Sequence, residues 1–145
     1  MRKLMILLVV LSTMMLSACS FLDSANQSLQ YADQATDHIN KLSDFAEQAP
    51  QMIQDAATNP EIKQQLEDRL IALKEDIVQF NIIDAPALAK DLHQQIVEKN
   101  QVLLQEIDQA LASGHLVLDQ LQNSQIIQTI NDITSFLNRI ENLGL

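Results

Sequence analysis

Beyond residue 22, apolar residues recur at alternating spacings of three and four, the period of an amphipathic helix. In the first such stretch Leu22, Ala25, Leu29, Ala32, Thr36, Ile39, Ser43 and Ala46 form a heptad seam of mostly small residues, widened by Leu42 and Phe45. A helix is therefore predicted from about Asp23 to Gln48. Pro50 ends or kinks it, and 51–57 adds two turns with Met52, Ile53 and Ala56 inward. Asn59-Pro60-Glu61 then supplies a cap, a proline for the first turn and an acid at the positive end of a second helix. That helix runs to about Phe80 with Ile62, Leu66, Leu70, Leu73, Ile77 and Phe80 facing inward. Residues 81–84 break it.

Asp84 is expected to cap a third helix, with Pro86 in its first turn and Gly114 as its stop. Its inward positions are Leu88, Leu92, Ile96, Leu103, Ile107 and Leu111. Leu116 to Leu121 form a short apolar turn or helix. Ser124 caps a fourth helix, where Ile126, Ile130, Ile133, Leu137 and Ile140 make the cleanest seam in the chain, closed by Gly144. Long amphipathic segments with short connections predict an all-α protein, an antiparallel helical bundle of about four long helices. One or two short extra helices, 51–57 and 116–122, cover its ends. No period of 30–45 residues is present, which argues against a solenoid. The bundle forms a single domain over 23–145.

The first residues follow another pattern. Met1-Arg2-Lys3 is a positive start, and an apolar run of about 13 residues follows from Leu4 to Leu16, weakly interrupted at Ser12 and Thr13. Small residues, Ser17-Ala18, lead to the only cysteine, Cys19. This is the layout of a secretory signal peptide over 1–18, and the run is short against the roughly 20 residues of a membrane span. Counted onward through Phe21 and Leu22 it reaches spanning length, so an uncleaved anchor is the alternative. Leu16-Ser17-Ala18-Cys19 resembles the lipobox of bacterial lipoproteins. The resemblance implies that the Cys19 sulfur takes a diacylglyceryl group and that the lipoprotein signal peptidase cuts between Ala18 and Cys19. Two acyl chains give stable anchoring where one is marginal, since each buried CH₂ contributes about 0.8 kcal/mol. Residues 19–22 leave a very short linker, so the folded body is expected to sit close to the membrane.

Cleavage would leave 127 residues, enough for one domain with a modest core. It would also remove Arg2 and Lys3, leaving seven basic residues against 19 acidic ones, a net charge of −12. That charge repels nucleic acid, and a chain with 3% aromatic residues and no Trp lacks stacking platforms for bases. With Cys19 lipidated no disulfide can form within the chain, so stability rests on packing.

Candidate chemistry is sparse. His38, His93 and His115 are preceded three residues earlier by Ala35, Lys90 and Ala112, so the Glu-x-x-His pair of bundle metal sites is absent, as is His-Glu-x-x-His. All three are read as surface or boundary histidines. Asp33, Asp37, Asp44 and Glu47 fall within about 80° on the first helix at 100° per residue. They are weak candidates for a divalent cation, and a solvated acidic face is the better reading, because a helical row does not wrap an ion. Lys99 and Asn100 interrupt the apolar seam of the third helix. A polar residue there fixes register, or alternatively lines a small ligand cavity. No nucleophile motif, phosphate loop or dinucleotide fingerprint is present, so no enzyme activity and no cofactor are expected.

With these elements placed, Ser28-Leu29-Gln30-Tyr31-Ala32, Asp91-Leu92-His93-Gln94-Gln95-Ile96 and Asn123-Ser124-Gln125-Ile126-Ile127-Gln128-Thr129-Ile130 carry a resemblance to the uncharacterised small lipoproteins of Bacillus-type bacteria, covering roughly 20–145. The resemblance implies a Gram-positive host and a lipid anchor on the extracytoplasmic face of the cytoplasmic membrane. In a two-membrane host, Ser20 after the cysteine would favour the outer membrane instead. It supplies no catalytic residues. The expected role is a non-enzymatic envelope lipoprotein, anchored by its lipid, whose helical surface binds another envelope protein. The alternative is a small-ligand or cation-binding lipoprotein.

Overall fold

The computed structural model describes residues 2–144, with side chains described for 25–143 except 113. The side chains of Ala18, Cys19, Leu22 and Asp23 lie outside the described residues. Among the described residues there is no strand, and no helix is long and apolar enough to cross a membrane. The helices are α1 (Arg2–Ala56), α2 (Pro60–Asn81), α3 (Lys90–Ala110), α4 (Leu118–Gln122), α5 (Ile126–Thr134) and α6 (Leu137–Glu141). The expected all-α antiparallel bundle is what forms.

The cross-helix contacts give the direction of each neighbour. Tyr31 meets Phe80, Lys41 meets Asp76, and Gln48 meets Arg69. As numbers rise along α1 they fall along α2, so the two are antiparallel. Asn81–Asn100 and Lys74–Asp108 orient α3 against α2 in the same way. Thr129–Glu106, Asp132–Lys99 and Arg139–Gln95 do so for the C-terminal helices against α3. The cycle α1–α2–α3–α5 closes where α1 packs on α5 and α6. One Lys–Asp pair ties each of the first three neighbouring pairs.

The buried stripe of α1 is Ser28, Tyr31/Ala32, Ala35, His38/Ile39, Leu42, Phe45/Ala46, Ala49 and Ala56. It is rotated from the seam predicted by sequence, for Leu29 is 48% exposed while Ser28 and Ala35 sit at the centre. Small residues at those heptad positions let neighbouring backbones approach and leave room for the larger rings of Tyr31 and Phe45. Pro50 neither ends α1 nor separates 51–57 from it. The proline forfeits the hydrogen bond to the Ala46 carbonyl, and the helix continues because Ala49, Ile53 and Ala56 pack into the core beside Leu121 and Ile126.

α2 starts as expected: the Asn59 side-chain oxygen accepts from the N–H groups of Glu61 and Ile62 at 3.0 and 3.4 Å. Its stripe of Leu66, Leu70, Leu73, Ile77 and Phe80 is buried. Two other caps differ from expectation. α3 begins at Lys90 with Ala89 in the cap position and no side-chain cap, not at Asp84. Pro86 disfavours helical backbone at Ala85, and Ala85 and Ala89 are instead buried, pinning the connection to the core. Leu88, expected inward, is 75% exposed. Ser124 does not cap α5 either, because its hydroxyl donates backwards to the Leu121 carbonyl at 2.7 Å.

The fourth long helix is interrupted. α5 ends at Thr134, and Ser135 and Phe136 form a turn before α6. The Thr134 hydroxyl donates to the Ile130 carbonyl and the Ser135 hydroxyl to the Asp132 carbonyl, which competes with continued helix. Ile126, Ile130, Ile133 and Ile140 nonetheless stay fully buried. Gly114 has φ +82°, a left-handed backbone that reverses the chain after α3 and brings the Val117 N–H to the Ala110 carbonyl.

Candidate functional site

Among the described residues the interior is mostly apolar, and apart from the buried side chains of Ser28 and Thr129 its polar groups gather in a cluster shared by α1, α2 and α3. His38 is 2% exposed. Its Nδ1 lies 2.7 Å from Asp76 Oδ2, and its Nε2 lies 3.2 Å from the Asn100 side-chain nitrogen. The same nitrogen donates to Asn81 Oδ1 at 2.8 Å. Nε2 is also 3.3 Å from the Asn100 side-chain oxygen, and the neutral ring that burial favours pairs as follows. Neutral His38 donates from Nδ1 to Asp76 and accepts at Nε2 from Asn100, whose other N–H goes to Asn81. Lys41 completes the outer edge by pairing with Asp76. Among the described residues no buried side-chain polar atom is left without a partner.

Phe80 lies flat on the His38 ring, with centroids 4.2 Å apart and planes 6° apart. Its other neighbours are Tyr31 and His93. The Tyr31 hydroxyl is 3.2 Å from His93 Nδ1. Burial pushes the Tyr31 phenol up to about 12. Burial also lowers the pKa of His38, against the opposing pull of Asp76, and lowers that of His93. Asp76 is pushed up by burial, but hydrogen bonds from Lys41 and His38 outweigh this and hold its carboxyl below the usual range.

An Asp–His pair is the orienting half of a nucleophilic triad. Here the nitrogen that would face a nucleophile is occupied by Asn100, and the ring is sealed beneath Phe80. A shallow groove between α1 and α2, with Gln34, Asp37 and Gln79 on its walls, has Lys41 and Asp76 at its rim and the edges of His38 and Phe80 at its floor, where His38 leaves only 2% of its surface exposed. The geometry is that of an internal polar fastening: Asn100, fully buried at its seam position, spends its amide on partners from two other helices.

The surface-or-boundary reading of His38 is therefore corrected. Desolvation of a neutral ring is tolerable when both nitrogens are paired, which single-helix spacing could not reveal. The signal available in sequence was its position beside Ile39, one heptad after Tyr31, combined with the polar break at Asn100. His93 does lie at the boundary, and the His115 side chain is exposed, 3.7 Å from Glu67. Glu67 accepts the Leu116 N–H at 2.7 Å and so holds the reversal after α3. Lys99 points out of the seam to Asp132, 2.7 Å away.

Asp33, Asp37, Asp44 and Glu47 are all exposed along α1. Among the described residues no three His, Cys, Asp or Glu side chains gather closely enough to hold a metal ion.

The profile of a family of unknown function, DUF6376, matches residues 31–143. The chain belongs to this family. The matched stretch of the DUF6376 chain starts at Tyr31 and takes in the polar cluster and every helix of the bundle. The chain is also similar to a Bacillus subtilis (strain 168) protein described as uncharacterized lipoprotein YybP. The two are 32% identical over 144 residues, covering 96% of this chain and 97% of that one. No solved structure matches the chain.

Proposed function

We propose that this DUF6376 chain is a lipid-anchored protein of the extracytoplasmic membrane face, a non-enzymatic accessory component of the envelope whose helical surface takes a protein partner. The observation that carries the reading is Leu16-Ser17-Ala18-Cys19, set directly after an apolar run of about 13 residues and a positive start. Residues 1–18 act as the export signal, and Cys19 becomes the acylated first residue of the mature chain. The near full-length relative described as a lipoprotein supports this. The non-enzymatic part is supported by the Asp76–His38–Asn100 cluster, whose buried histidine has both ring nitrogens spent on holding helices together.

Cys19→Ser is the direct test. The wild-type chain is expected in the membrane fraction, with its body accessible to protease added outside cells. The variant is expected as an unprocessed precursor or in the medium. Processing at the same bond with full membrane retention in Cys19→Ser would contradict the anchor. Chemical crosslinking of intact cells is expected to trap the wild-type chain with a defined envelope protein. Recovery of monomer alone, under conditions that trap known envelope complexes, would contradict the partner.

A further inference from the structure

We propose that the connection between α2 and α3 is a second membrane contact. Ile82 and Leu88 enter the headgroup boundary beside the anchor and set how the bundle stands on the bilayer. The proposal rests on the reading that Cys19 is lipidated.

Ile82 and Leu88 are the most exposed large apolar side chains among the described residues, at 73% and 75%, followed by Leu29 at 48%. These three share one end of the bundle. The connection packs against the start of the described part of α1, where a cleft of about 360 Å³ is bounded by Gln27 and Tyr31 on one side and Ile83 to Ala87 on the other. Eight residues separate Cys19 from Gln27, about 12 Å of helix. A tilt of α1 towards the connection lowers the two side chains into an interface that is itself about 5–7 Å deep on each side. The opposite end, at 57–59 and 111–117, exposes no large apolar side chain among the described residues.

The connection is held so that these residues stay outside. Ala85 and Ala89 are buried, the Ile83 N–H reaches the Phe80 carbonyl at 3.1 Å, and the Ala89 N–H reaches the Pro86 carbonyl at 2.8 Å. Residues 82–89 carry one charge, Asp84, which the neighbouring Lys90 at the edge of the cleft offsets, and the chain as a whole is acidic. Net electrostatic attraction to an anionic surface is thus small, and the contact is apolar. The lipid surface is the occupant because the anchor places it at this end.

The test uses the full chain made in a lipidating host and reconstituted in vesicles of phosphatidylglycerol and phosphatidylethanolamine. Acylation consumes Cys19, so Ile82→Cys, Leu88→Cys and Thr58→Cys each carry a single free thiol for an environment-sensitive fluorophore. All three positions are exposed, so the fold tolerates them. Labels at 82 and 88 are expected to shift to the blue and to be quenched by nitroxide-bearing lipids severalfold more than the label at 58, at low and high salt alike. Equal quenching at all three positions, on protein whose mass carries the acyl groups, overturns the contact and leaves the anchor standing. Quenching that vanishes at high salt overturns its apolar nature. A chain without acyl groups that fails to float with vesicles overturns both readings.

Discussion

Burial in the core favours the neutral form of His38 over its charged form. A second proton would turn Nε2 into a donor towards the Asn100 side-chain oxygen, 3.3 Å away, at the cost of the bond it accepts from the Asn100 nitrogen and of a charge on a buried ring. Removing one member leaves buried polar atoms unpaired, so Asn100→Leu is expected to lower stability by about 1–3 kcal/mol in urea unfolding. His38→Leu should do the same, and the double variant should cost clearly less than the sum of the two. Strict additivity would mean that the cluster does not act as a unit. The pH dependence has a defined sign. His38 and His93 bind protons less readily folded than unfolded, so stability is complete above about pH 6.5 and falls as pH drops below it. Asp76, held low, adds a second loss as pH falls through the carboxylate range, while Glu106, raised by burial, works against it there. Tyr31 is raised from an ordinary value near 10 to about 12, so stability is lost again as pH climbs between those values. Urea midpoints measured across pH should show a plateau between about 7 and 10. A flat response from pH 7.5 down to 5.5 would contradict the histidine environments.

At the scale of elements, Pro50 and Gly114 make opposite predictions. Pro50 sits inside a continuous helix, so Pro50→Ala restores an N–H for the Ala46 carbonyl and is expected to raise stability by about 1 kcal/mol or more, less the proline's restriction of the unfolded chain. Gly114→Ala meets no neighbouring atom but must hold a positive φ, and should cost about 1–2 kcal/mol. Thermal unfolding of both variants reads the two signs. The aliphatic stripes of α2 and α5 were legible because Leu and Ile repeat there with little competition. The face of α1 was less legible, since small residues occupy both candidate seams and only the ring contacts of Tyr31, His38 and Phe80 decide between them. The starts of α3 and α5 misled because Asp84 and Ser124 have cap chemistry, yet Pro86 and a backward-donating hydroxyl exclude it locally. His38 was missed for a related reason: its partners Asp76 and Asn100 lie on other helices, 38 and 62 residues away.

For the molecule as a whole, the bundle uses its few bases sparingly. Lys41, Lys74 and Lys99 each tie two helices, and Arg69 and Arg139 bond across helices to Gln48 and Gln95. The remaining surface is net acidic, which disfavours electrostatic attraction to anionic lipid. Exposed pairs of this kind contribute about 0–1 kcal/mol each, so salt is expected to shift unfolding little. The fold thus supplies a helical body, and on the proposed reading the leader Met1 to Ala18 supplies the address. Mass spectrometry of the mature protein from a Bacillus-type host tests that address most directly. The predicted N-terminal peptide begins at Cys19 and carries a diacylglyceryl group. A chain that still starts at Met1, or a first cysteine bearing no fatty acyl group, would contradict the account.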